Sequence, residues 1–149
     1  MEKSLGPKVN YKSLISFRFT DNSDYVIGRA LAGGVQKMVI TGLKWNGCKS
    51  AVVMSKTRPN ILYAAVGIHP HFVKDDWNDK NADGLEELIK SPGVVAVGEC
   101  GLDFNKDYSP RELQETAFKK QVLFYFTSFK IGKPEVRRVN LLIYCLYFL

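Results

Sequence analysis

Two short stretches of the chain hold residues able to do chemistry. The first is Gly67-Ile68-His69-Pro70-His71, which contains both histidines of the protein. Imidazoles at i and i+2 can bind one metal ion or, when charged, hold a phosphate. Pro70 between them fixes the local backbone. Read alone, the pair is equally compatible with a structural or surface role. The second stretch is Gly98-Glu99-Cys100-Gly101-Leu102-Asp103-Phe104. Glu99 follows four apolar residues, so it is expected where a buried strand meets its loop. Hard divalent cations take carboxylate oxygens, and the flanking glycines permit a tight turn. The competing reading of Glu99 is a loop carboxylate bonded to its own turn. A lone Zn²⁺ site built from His69, His71 and Glu99 is a third arrangement these residues allow. Cys100 reads as a small buried filler, because no basic partner is visible to activate its thiol.

The elements that must position these groups alternate. Asp21, Asn22 and Ser23 offer N-cap oxygens, and Val26, Ile27, Ala30 and Leu31 recur at helical spacing up to Gly33-Gly34. Val35 to Thr41 reads as a strand. Residues 46–57 read as a helix closed by Pro59. Ile61 to Gly67 is a nearly continuous apolar run, as in a strand buried on both faces. Residues 83–90 read as a short helix, Val94 to Val97 as a third buried strand, and Pro110 to Gln121 as a helix with proline in its permitted first turn. Lys119-Lys120 at its end reads as a solvated face. Such alternation implies a parallel sheet with helices outside. In parallel α/β folds chemistry collects at the carboxyl ends of strands, and there the histidines, Glu99 and Asp103 fall.

Composition bounds the rest. With 46% hydrophobic and 24% charged residues, the 149-residue chain has a globular balance suited to one domain. Three cysteines without a C-x-x-C pair argue against a disulfide framework or zinc ribbon and favour an intracellular setting, cytoplasmic or nuclear. No signal peptide is expected. The longest apolar stretch, Leu141 to Leu149, is about half of what a membrane span needs. The net charge of +6 sits wholly in the two end segments, residues 1–20 and 122–149, with residues 21–121 neutral. It reads as solvated ends more readily than as a nucleic-acid patch.

The ends also depart in pattern. Residues 1–20 form an unassigned segment in which only Leu14 to Phe19 suggests a strand. Residues 122–149 form an apolar, aromatic tail. Its β-prone window Val122 to Phe129 is an aggregation risk if exposed, and the tail as a whole, residues 122–149, is a candidate surface for self-association.

Taken together, residues 24–121 resemble the TatD-type metal-dependent deoxyribonucleases. Gly67-Ile68-His69-Pro70-His71 looks like the family's G-x-H-P signature. Val94 to Phe104 looks like its A-[IV]-G-E-x-G-L-D-[FY] signature. Val26 to Ala30, Gly34 to Lys37, Ile40 to Gly42, Glu112, Gln114 and Phe118 to Gln121 resemble the surrounding elements. The resemblance implies a TIM-type (β/α)₈ barrel, of which residues 21–121 would supply about the first half. It also implies DNA hydrolysis with divalent cations, Mg²⁺ foremost and Mn²⁺ or Zn²⁺ as alternatives. By the same resemblance, Glu99 is a catalytic residue and metal ligand. His69 is catalytic and substrate-binding beside the scissile phosphate, His71 binds substrate, and Asp103 supports the site from its loop.

Two departures accompany the resemblance. The family's first strand carries H-x-H or D-x-G-x-N, and residues 1–20 carry neither. No histidine or aspartate follows residue 121, where the family supplies further ligands. Two expectations follow: a metal-dependent deoxyribonuclease with an impaired site, or a non-catalytic fragment without turnover.

Overall fold

The computed structural model describes residues 11–15, 23–130 and 140–146. Five parallel strands make one sheet in sequential order: β1 (Tyr11–Ile15), β2 (Lys37–Thr41), β3 (Leu62–Val66), β4 (Val94–Asp103) and β5 (Asn140–Leu146). Helices α1 (Ser23–Ala32), α2 (Trp45–Ser55), α3 (Val73–Asp76), α4 (Asp79–Ile89) and α5 (Arg111–Lys130) fill the connections. Parallel neighbours cannot be joined by a tight hairpin, so each crossover carries a helix. The result is a run of βα units in barrel order.

The core lies between sheet and helices. Met38 of β2, Leu62, Ala64 and Val66 of β3, and Val97 of β4 pack against Ile27 of α1. The same layer takes Cys48, Ala51 and Val52 of α2, Leu85 and Ile89 of α4, and Ala117 and Phe124 of α5. Strands buried on both faces read as apolar runs rather than as alternation, which is why β3 was legible as ILYAAVG.

Several boundaries differ from expectation. Helix α4 begins at Asp79, earlier than residue 83, because the Asn78 side chain accepts the Asn81 N–H at 3.0 Å and caps it. Strand β4 does not end at Gly98-Glu99. It runs on to Asp103, with a register shift against β5 between Val97 and Cys100. Glu99 therefore stands within a strand, not at its end.

Helix α5 continues past Gln121 to Lys130, so the β-prone window from Val122 is helical and seats Phe124 in the core. The tail's strand signal lost to the helical period of Gln114, Ala117, Gln121 and Phe124, which form one buried stripe. The exposed-strand premise for that window falls with it, and residues 131–139 and 147–149 of the tail expected to self-associate lie outside the described residues. Of the suggested strand Leu14 to Phe19, Leu14 and Ile15 belong to β1, and residues 16–19 lie outside the described residues, as do Asp21 and Asn22. Among the described residues no helix is long and apolar enough to cross a membrane.

Candidate active site

The histidine loop leaves the end of β3 and is held residue by residue. Gly67 packs directly against Gly98 of β4. A Cβ on Gly67 would lie 2.6 Å from Gly98 Cα and 2.8 Å from its carbonyl carbon. Only glycine allows this approach, and Gly98 itself has φ 134°. The buried Cys48 thiol donates to the Gly67 carbonyl at 3.2 Å and receives its N–H at 3.3 Å. Burial pushes that thiol up to about 12, with the Gly67 hydrogen bond opposing, so it stays protonated at neutral pH.

Next along the chain, Gln121 of α5 clasps Ile68. Its Oε1 accepts the Ile68 N–H at 2.8 Å and its Nε2 donates to the Ile68 carbonyl at 3.2 Å. The His69 N–H donates to the Leu43 carbonyl at 3.0 Å, tying the loop to the end of β2. Pro70 to Phe72 then form a single 3₁₀ turn in which His69 Nδ1 accepts the His71 N–H at 3.2 Å.

That bond assigns the neutral His69 tautomer with its proton on Nε2. His69 is 7% exposed. Its pKa is lowered to about 4, first by burial and then by the charge of His71, with Asp103 opposing. His69 is therefore neutral at pH 7. The two imidazoles meet edge to face, their centroids 4.4 Å apart.

His71 reaches across to β4. Its Nε2 lies 2.5 Å from Asp103 Oδ2. Asp103 is fully buried, and its other oxygen accepts the N–H groups of Asn105 and Lys106 at 3.1 and 3.0 Å. Burial raises its pKa, but the His71 bond, the two amides and the charge of His71 outweigh this and hold it below the usual carboxylate range. Gln114 holds the backbone of Asp103 as Gln121 holds that of Ile68. Its Oε1 accepts the Asp103 N–H at 2.8 Å, and its Nε2 donates to the Asp103 and Ser109 carbonyls at 3.3 and 2.7 Å. The turn-bonded carboxylate that the sequence suggested for Glu99 is thus Asp103.

Glu99 is half-buried on β4. Burial raises its pKa, with the charge of His71 opposing. Cys100 is buried, its thiol pushed up to about 12 by burial and then by Glu99. It fits the reading as a filler rather than a nucleophile.

Among the described residues, no three His, Cys, Asp or Glu side chains converge to hold a metal ion. This overturns the Zn²⁺ site of His69, His71 and Glu99: His71 Nε2 is turned to Asp103, and His69 Nδ1 accepts a backbone N–H. The described residues do not assemble a complete two-metal centre.

Comparison with known proteins gives the chain a family. A family model described as TatD related DNase matches residues 14–124. The chain belongs to the TatD-related DNase family. Among TatD proteins, it is 38% identical over 122 residues to a 3'-5' ssDNA/RNA exonuclease TatD of Edwardsiella piscicida, covering 82% of this chain and 45% of that one. A protein of the same description from Erwinia tasmaniensis is 38% identical over 110 residues, covering 74% and 42%. The chain therefore spans less than half the length of these relatives.

The TatD homolog YJJV of Escherichia coli K12 superposes with a TM-score of 0.67 at 24% identity, over 76% of this chain and 45% of that one. A TatD family hydrolase of Entamoeba histolytica gives 0.60 at 24% identity, over 72% and 38%. These likenesses establish the fold as part of a TatD-type barrel.

Of the four residues the sequence points to, His69 and His71 follow the end of β3 and Asp103 ends β4, whereas Glu99 lies inside β4. Sequence reasoning gave no role to Gln114 and Gln121. The signal was present: two amides seven residues apart on the apolar stripe of a helix demand buried partners.

Proposed function

We propose that this chain carries part of a metal-dependent nuclease site that hydrolyses phosphodiester bonds of single-stranded DNA. Glu99 is the metal ligand and catalytic carboxylate on this chain. His69, with its proton on Nε2, donates toward the scissile phosphate. His71 binds substrate beside it, and Asp103 acts as a positioning residue that fixes the His71 ring. The carrying observation is the Gly67–Gly98 contact, which brings the histidine loop and the Glu99 strand together. Family membership supports dependence on a divalent cation, with Mg²⁺ the first choice and Mn²⁺ next. Such ions polarise phosphoryl oxygens and generate hydroxide at neutral pH.

The test is hydrolysis of end-labelled single-stranded DNA with Mg²⁺, Mn²⁺ or EDTA, beside Glu99→Gln. Metal-dependent cleavage lost in the variant is the expected result. A folded, soluble protein with no metal-dependent cleavage overturns it in favour of a second reading, a non-catalytic member of the family. That reading draws on the incomplete ligand set among the described residues and on the coverage of less than half of the relatives.

A further inference from the structure

The loop after β4 presents one aromatic ring with unusual care. Tyr108 is 50% exposed, yet its ring meets the His71 ring edge to face with centroids 4.7 Å apart. Exposed aromatic side chains usually have rotational freedom, and this one stands on a pinned segment. Asp103 Oδ1 holds the Asn105 and Lys106 amides at its start. Arg111 then grips both oxygens of Asp107, whose φ is 46°, and the Phe104 carbonyl at 3.2 Å. On the far side Ser109 is buried. Its hydroxyl accepts the Lys74 N–H at 3.1 Å, and its carbonyl takes the Gln114 amide. Two lysines lie near rings that neighbour His71: Lys106 Nζ is 5.9 Å from the Tyr108 ring, and Lys44 Nζ is 4.2 Å from the Phe72 ring, itself 6.3 Å from the His71 ring.

We infer that Tyr108 is a stacking platform for an unpaired base of the DNA strand whose phosphodiester lies at His69 and His71. This rests on the nuclease reading and deepens it by naming a substrate contact. A base stacks on an aromatic face without regard to its identity. The contact therefore selects single strands over duplex, whose bases are already stacked, and is indifferent to sequence. Lys106 and Lys44 supply cations for the flanking phosphates. Half of Tyr108 is open to solvent, and a ring carried on a pinned segment loses little freedom on binding.

The experiment is anisotropy of a fluorescein-labelled oligothymidine with Ca²⁺ present, using the full chain, Tyr108→Ala and Tyr108→Phe. A matched oligonucleotide with an abasic end serves as comparison. The expected result is that Tyr108→Ala weakens binding by about 5- to 100-fold and Tyr108→Phe by less than about 2-fold. The abasic strand should bind the full chain and Tyr108→Ala alike. Because Tyr108 is half exposed, the variants keep the fold, and circular dichroism checks this. Strand binding that ignores Tyr108→Ala overturns the stacking role and leaves the nuclease reading standing. An absence of strand binding by the unaltered chain sinks both.

Discussion

The Gln121 carboxamide closes a two-point clasp on the peptide of Ile68, 53 residues earlier in the chain, accepting its N–H at 2.8 Å and donating to its carbonyl at 3.2 Å. The clasp is buried, so neither Ile68 group has water as an alternative partner. Two turns earlier on the same helix, Gln114 repeats the arrangement on Asp103. Helix α5 thus sets the position of both loops that carry the candidate site.

Gln121→Leu is expected to leave two buried backbone groups unsatisfied and to cost about 2–4 kcal/mol. Urea denaturation would show a lower midpoint with an unchanged slope. A midpoint within error of the unaltered chain would mean that water replaces the amide. Gln114→Leu should cost as much and, by releasing Asp103, should also loosen the loop that ends in Tyr108.

Two glycines give opposite expectations. Gly67→Ala places a Cβ against backbone atoms of Gly98, none of which can swing aside. Destabilisation of about 3 kcal/mol or more is expected. Gly28, in α1, has nothing within 4 Å of its would-be Cβ, so Gly28→Ala should stabilise by about 0.5–1 kcal/mol through helix propensity. Thermal melts of the pair should move in opposite directions. Movement in the same direction would contradict the packing described at Gly67.

Acid should weaken the metal-free fold before most carboxylates titrate. His69 is held neutral in the folded chain, its pKa lowered to about 4 chiefly by burial, whereas the unfolded chain takes up this proton near the ordinary value of about 6.5. Between those values the unfolded state binds more protons, so stability rises with pH. The contribution is complete above about 6.5 and is lost as pH falls toward 4, amounting to at most about 3 kcal/mol. Asp103, also held below its ordinary value, adds a loss of the same sign at lower pH. Urea midpoints at pH 7.5 and 4.5 should differ for the unaltered chain, and less so for His69→Gln. Equal midpoints for the unaltered chain would refute the assignment.

The sequence alone determined the alternation of elements and the neighbourhood of the site. Periodicity and apolar runs are local consequences of which face each segment buries, so β2, β3, α2 and the first half of α5 could be read within a residue or two. The two motifs placed His69, His71 and Asp103 at the ends of buried strands for the same reason, while Glu99, expected at a strand end, lies inside β4. Other relations belong to the tertiary structure, because they join residues far apart in the chain. Nothing near Ile68 announces that Gln121 will hold it, and nothing near Asp103 says that His71, 32 residues earlier, will meet its carboxylate. The extent of α5 was decided in the same way. Val122 to Phe129 has the branched and aromatic composition of a strand, but Phe124 falls on the helical stripe begun by Gln114, and its burial against the sheet outweighs local preference.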